Sequence, residues 1–444
     1  MRISLSAALV LTLFAGHAAA GTFTAVGAPG DQLTGLSVNG RIASGVSSQG
    51  DAWRWNKDAG RMPMTGFLQT NGMDSWGQPV AGSYSADDNV ADSVAALFYS
   101  NSDIQGVGPV VIGGYPGTGG GSGQGISVAY GVSDDGVAVG LAYDETNLPI
   151  AFRWTADEGM TRLPVNRPTT FSRANGISRD GSTIFGWNDQ QTGFRSGVIW
   201  RDGQVIDLTD AQGNPIGEAL GASADGSVVV GSGYNTNNGS EAWRWTPSTG
   251  VQPIGVLSSA PASPNTIKTI RRLGQAQIGV RSELRDVRRE VEPNGFFFPT
   301  AYAFAVSDDG KVILGASGSF GRAATIWTPA AGMQYLSSYA AQQGVAIPAS
   351  WALGTGLAIS GDGMSLGGWG VNGSDYGAFI IDLHPDRSYD ARVVAHGTVD
   401  GNNLQSGPFA GVPVGTPVTM VFRLSQDGAE IQAGQDTAYP MIVP

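Results

Sequence analysis

A chain of 444 residues exceeds what one small hydrophobic core supports, so it is expected to hold several units or one large repeat array. Its 67 glycines point to many tight turns between short strands, and 41% hydrophobic residues exclude a disordered chain. A net charge of −12 excludes phosphate backbones and anionic headgroups as natural partners, and the lack of cysteine excludes a disulfide framework.

The first twenty residues read as a leader. Arg2 precedes an apolar run over residues 5–14, and Ala18-Ala19-Ala20 before Gly21 is a small-residue cleavage pattern. The run is shorter than the ~20 apolar residues a spanning helix takes, and no later stretch comes near that length, so no membrane insertion is expected. Cleavage after Ala20 would deliver the mature chain to the periplasm or the extracellular space.

A repeat begins soon afterwards. Ser37-Val38-Asn39-Gly40, Gly45 and Ala52-Trp53-Arg54-Trp55 form a shortened first unit. The spacing to the next clear unit leaves room for a degenerate one near residues 80–115, followed by a glycine-rich connection over 113–125. Ser-x-Asp-Gly then recurs as Ser133-Asp134-Asp135-Gly136, Ser178-Arg179-Asp180-Gly181, Ser223-Ala224-Asp225-Gly226, Ser307-Asp308-Asp309-Gly310 and Ser360-Gly361-Asp362-Gly363. The first three terminal glycines are 45 residues apart, and the later gaps are 84 and 53. A second glycine follows each turn in phase, at Gly140, Gly186, Gly231, Gly315 and Gly368. A strand rich in large apolar residues comes next, such as Ala151-Phe152-Arg153-Trp154 or Ala242-Trp243-Arg244-Trp245. Asp-Gly favours a tight hairpin, so each unit reads as four short strands, the size of a propeller blade of ~45 residues. The fold class is therefore all-β, a β-propeller of about seven four-stranded blades over residues 21–387.

Two segments depart from the period. Residues 264–293 hold seven basic residues and apolar residues at near-helical spacing, which predicts an inserted helical or disordered excursion; a decayed eighth blade is the alternative. Residues 388–444 read as a small β-rich segment, with strands over 391–399, 418–424 and 439–443.

The unit resembles the extracellular repeat called the HAF family, over residues 36–66 and 125–383. The family's His before the Ala is here Asp51, Ile150, Glu241, Ala323 or Gly377. The resemblance implies export and a propeller-like fold, and carries no particular activity.

Candidate chemistry is sparse. After the leader only His384 and His396 remain, with no HExxH, no Gly-x-Ser-x-Gly and no calcium-loop pattern, so no cofactor or metal is expected. The paired carboxylates Asp134-Asp135 and Asp308-Asp309 sit at hairpin turns, where a turn role accounts for them. The repeated Trp and Phe of the third strands are read as packing between blades. The loops between second and third strands carry an aromatic ring beside amides, a combination suited to a neutral glycan or a polar protein surface. They supply Tyr143, Trp187, Asn188, Tyr234, Asn235, Asn237, Trp369, Asn372 and Tyr376 as candidate binding residues. A binding or scaffold propeller follows. Its alternatives are a structural passenger of a surface assembly and a carboxylate-based carbohydrate-active enzyme.

Overall fold

The structure is a computed structural model. It describes residues 2–5, 12–13, 21–85, 93–99, 110–115, 126–234, 240–257, 300–318, 323–373, 375–384, 391–401, 417–425 and 428–433. The chain divides into two compact units, Thr22–Leu383 and a second formed by Met1–Gly21 with His384–Pro444. The excursion expected at 264–293 lies outside the described residues.

The first unit is a seven-bladed propeller. The described residues form seven antiparallel four-stranded blades, whose inner strands are Gln32–Leu36, Phe67–Met73, Ser127–Val132, Ser172–Ile177, Glu218–Ala222, Thr300–Val306 and Trp351–Ile359. Blades 5 and 6 are also joined by a parallel bridge from Ser240 to Thr300. The degenerate unit expected near 80–115 is blade 2, and it begins earlier, at Phe67.

Blade 7 draws on both ends of the unit. Its strands Trp351–Ile359, Ser365–Asn372 and Asp375–Asp382 are completed by Thr22–Val26, which pairs antiparallel with Asp375–Asp382 from Thr22↔Asp382 to Val26↔Ala378. The inner strand of blade 1 packs against blade 7, so the ring is closed and leaves no open inter-blade face. Each junction between neighbouring blades has its own apolar cluster. Leu33 and Trp53 of blade 1 meet Ala358 and Ala378 of blade 7, and Ile199 of blade 4 meets Trp243 of blade 5. Trp53, Phe152, Trp243 and Phe379 on the third strands are at most 1% exposed, as expected for packing between sheets.

The Ser-x-Asp-Gly motif is a closed hydrogen-bond unit. The Ser223 hydroxyl donates to Asp225 Oδ1 at 2.8 Å and accepts from the Val228 N–H at 3.0 Å, while Asp225 Oδ1 also accepts from the Ser227 N–H at 2.9 Å. The same set recurs at Ser178 with Asp180, Ser307 with Asp309 and Ser360 with Asp362. Each turn glycine has positive φ, between 62° and 83°. Burial opposes ionisation of Asp180 and Asp225, but these hydrogen bonds outweigh it and hold both carboxyls below the usual range.

The second glycine of the unit has a different cause. Each of the seven inner strands shows a register shift beside the residue paired with it, as between Ala219 and Gly221 opposite Gly231, and in blade 2 between Thr70 and Met73 opposite Gly82. The bulged inner strand leans on the glycine. A Cβ at Gly231 would lie 2.1 Å from the Glu218 carbonyl oxygen and 2.4 Å from the Trp243 ring.

Between blades 6 and 7 a short helix, Leu336–Gln342, buries Leu336 and Ala340 in the apolar cluster that both blades share. In the second unit Ala391–Gly401 pairs antiparallel with Pro417–Ser425, which pairs with Gly428–Ala433. The first two match expected strands, Gly428–Ala433 was not anticipated, and residues 439–443 lie outside the described ones. Two pieces of the expected leader, Arg2–Leu5 and Thr12–Leu13, pair with the free side of Ala391–Gly401.

Candidate binding site at the propeller axis

In a blade of four antiparallel strands, the turns joining strands 1–2 and 3–4 share one face of the ring, and the loops joining strands 2–3 lie on the other. The Ser-x-Asp-Gly turns therefore converge on one end of the axis. There the residues after the serine bond from blade to blade. Gly361 N–H donates to Val38 O at 2.8 Å, Val38 N–H to Ser75 O at 2.9 Å, Asp134 N–H to Arg179 O at 2.9 Å, and Asp308 N–H to Gly361 O at 2.8 Å. Asp180 N–H adds a bond to Ala224 O at 3.1 Å.

These turns rim a cavity of about 390 Å³, lined by Ser75, Asp134, Arg179, Ala224 and Asp308 with Asp135, Asp180 and Asp225 beside them. Five aspartates and one arginine thus line it, with Asp135, Asp180 and Asp225 bonded to the serines of their own turns. Ser75 fixes Asp134 twice, through its N–H to Oδ1 at 2.8 Å and its hydroxyl to Oδ2 at 2.6 Å. Arg179 reaches across from blade 4 and pairs with Asp308 of blade 6. Burial holds the Arg179 guanidinium below its ordinary pKa, and the nearby Asp134 opposes that effect. Among the described residues no group of three or more His, Asp or Glu side chains is placed to hold a metal ion.

Blade 2 breaks the motif at this rim. Asp74 stands where each of the other six blades has a buried Ser, and Trp76 stands in place of the turn Asp. Asp74 Oδ1 accepts from the Trp76 N–H at 3.0 Å and the Gln78 N–H at 2.6 Å. Burial pushes its pKa up to about 6 against those hydrogen bonds, and the Asp134 charge adds to the rise. A raised acid favours the fold while protonated, so its contribution is full below the unfolded value and is lost as pH rises through about 6. Asp74→Asn keeps the acceptor without the charge. It is expected to stabilise the propeller by up to roughly 3 kcal/mol at about pH 8 and by almost nothing at about pH 4. Denaturant unfolding at the two pH values checks this. An equal effect at both would separate Asp74 stability from its ionisation.

The residues anticipated on the opposite face are dispersed over four blades. Trp187 is 5% exposed, with the Arg195 guanidinium 4.2 Å above its ring and Arg173 at 5.5 Å. Asn188 is fully buried; its amide donates to Thr170 Oγ1 at 3.0 Å and to the Arg167 and Phe171 carbonyls, and its oxygen accepts from the Arg167 N–H. Trp369 is half-buried and stands edge-on to Tyr376 at 5.2 Å; Tyr376 is 7% exposed, and burial pushes its phenol up to about 12. Tyr143 is half-buried at a strand end and Asn372 is exposed. Tyr234 closes the strand Val229–Tyr234, while Asn235 and Asn237 lie outside the described residues. The aromatic rings most open on this face are instead Phe171, at 50%, and Phe194, at 58%, both flanking blade 4. Sequence reading passed over them because neither falls at a recurring position of the unit. It also passed over Ser75, Arg179 and the axial role of Asp134 and Asp308, because the variable position of the motif carries no period.

No family model and no curated protein match this chain. Among solved structures it is similar to a putative TolB from Agrobacterium tumefaciens, with 19% identity over 51% of this chain and 80% of that one, at a TM-score of 0.38. It is also similar to TolB from Acinetobacter baumannii, with 11% identity over 82% of this chain and 79% of that one, at a TM-score of 0.39. At that level the likeness carries no functional conclusion.

Proposed function

We propose that the chain is an exported binding propeller without catalysis of its own, and that it takes a cationic side chain of another exported protein at its axis. The observation that supports this is the rim itself, a cavity of about 390 Å³ lined by five aspartates and a single arginine, with Asp308 and Asp134 beside that arginine. A lysine or arginine entering there would exchange with Arg179 at Asp308 while Asp134 stays fixed by Ser75. Such half-exposed charge pairs set orientation and specificity more than raw affinity. The leader pattern and the resemblance to HAF repeats support export. A second reading, a neutral glycan on the opposite face, draws support from the exposed rings of Phe171 and Phe194.

Calorimetric titration with an oligolysine peptide is the test. Asp134→Asn with Asp308→Asn should weaken binding about tenfold or more, since loss of each tenfold needs only 1.4 kcal/mol. The control pair Asp58→Asn with Asp157→Asn removes the same charge from exposed turns away from the rim and should change it little. Equal weakening by both pairs would reduce the effect to net charge and end this reading. A neutral-oligosaccharide array on the same proteins reports the second.

A further inference from the structure

The strand Ala391–Gly401 has one side paired with Pro417–Ser425 and the other with the expected leader, in the registers Ile3↔Val399, Leu5↔Gly397 and Thr12↔Arg392. Its second side therefore accepts an antiparallel strand. If the leader is removed after Ala20, that side becomes an eleven-residue edge of a sheet with three strands among the described residues. Such an edge exposes a row of N–H and C=O groups ready to pair with another chain, and three strands alone are near the limit of independent stability.

We infer that in the exported protein this edge pairs with the same strand of a second copy. The sequence Ala391-Arg392-Val393-Val394-Ala395-His396-Gly397-Thr398-Val399-Asp400-Gly401 is self-complementary about His396. Antiparallel pairing centred there puts Arg392 opposite Asp400 of the second copy, and Asp400 opposite its Arg392. Val393 falls opposite Val399, and Ala395 opposite Gly397. Opposite charges in direct register stabilise a strand pair, and apolar β-branched pairs do so as well. A two-fold axis through His396 makes the contact isologous, so it closes at a dimer and joins two three-stranded sheets into one of six strands. No other register of this strand on itself brings both charges onto opposite partners.

The inference rests on export with leader removal, and N-terminal sequencing of the exported protein tests that part separately. The chain has no cysteine, so single-cysteine variants report the register cleanly. In the exported protein beginning at Gly21, His396→Cys should give a disulfide-linked dimer under mild oxidation, because opposite residues of a pair lie within bridging reach. Ala391→Cys, ten positions from its own copy in this register, should not. Arg392→Asp should shift light scattering towards monomer, and adding Asp400→Arg should restore the dimer. The uncleaved chain, with its edge occupied, should remain monomeric. A monomeric exported protein overturns the inference. So does a dimer that cross-links equally well through position 391, or one indifferent to the charge reversal.

Discussion

Gly231→Ala is expected to cost about 4 kcal/mol or more, or to prevent blade 5 from forming, although it adds a single methyl group. The added Cβ would stand 2.1 Å from the Glu218 carbonyl oxygen and 2.4 Å from the Trp243 ring. Neither neighbour can yield. Glu218 belongs to an inner strand bulged at this point, and Trp243 is 1% exposed at the junction of blades 4 and 5. The comparison that isolates packing from backbone strain is Gly136→Ala. Gly136 has φ +83° but nothing within 4 Å of the added Cβ, so its cost should be the conformational penalty alone, roughly 1–2 kcal/mol. Denaturant unfolding followed by tryptophan fluorescence orders the two. Equal losses would show that the inner strand gives way, and that its close approach is not what keeps the second glycine of each unit.

Deleting residues 22–26 should be as damaging, for a reason of topology. The deletion strips five register pairs from Asp375–Asp382 and leaves blade 7 with an open outer edge. It also removes Phe23, which stacks on Phe379 at 6.1 Å and meets Trp351 edge-on at 5.1 Å. Loss of a core aromatic alone costs about 3 kcal/mol or more, an upper guide here because Phe23 is half-buried, and the exposed edge adds a route to aggregation. The expected result is a clearly lower melting temperature together with concentration-dependent association. Fusing residues 21–28 after Leu383 through a hairpin loop should restore both, because the strand then reaches the same place from the neighbouring end. If the deletion melts like the parent, the clasp does not hold the ring closed.

How far the fold was legible follows from where each signal sits in the chain. Asp-Gly turns, the second glycine and the third-strand aromatics act over a few residues and recur in phase, so five blades could be read directly. The clasp could not, because Thr22–Val26 and its partner strand are some 350 positions apart and five residues of mixed polarity carry no period. Blade 2 was blurred by Asp74 and Trp76, which replace the motif's Ser and Asp. The rim was illegible for a related reason. A carboxylate such as Asp134 has a sufficient local explanation at a turn, and only closure of the ring brings it near Arg179 and Asp308. On the opposite face an aromatic beside an amide looked like a ligand platform, yet Trp187 and Asn188 lie under the surface because the loop folds over them.

The turn motif also separates what the fold requires from what it tolerates. Ser, Asp and Gly hold the hairpin through their own closed set of bonds, while the residue between Ser and Asp meets its neighbours at the rim mainly through backbone groups. That position reads Val38, Ser75, Asp134, Arg179, Ala224, Asp308 and Gly361 around the seven blades. It behaves as a seven-letter word written on a fixed frame. Except at Gly361, where a Cβ would run into Asp308 and Val38, changing one letter alters the charge and shape presented at the axis without disturbing a strand. Propellers built on the same frame can therefore diverge in what they recognise by point substitutions alone, and a designer can rewrite the other six letters of the rim with no need to repack a blade.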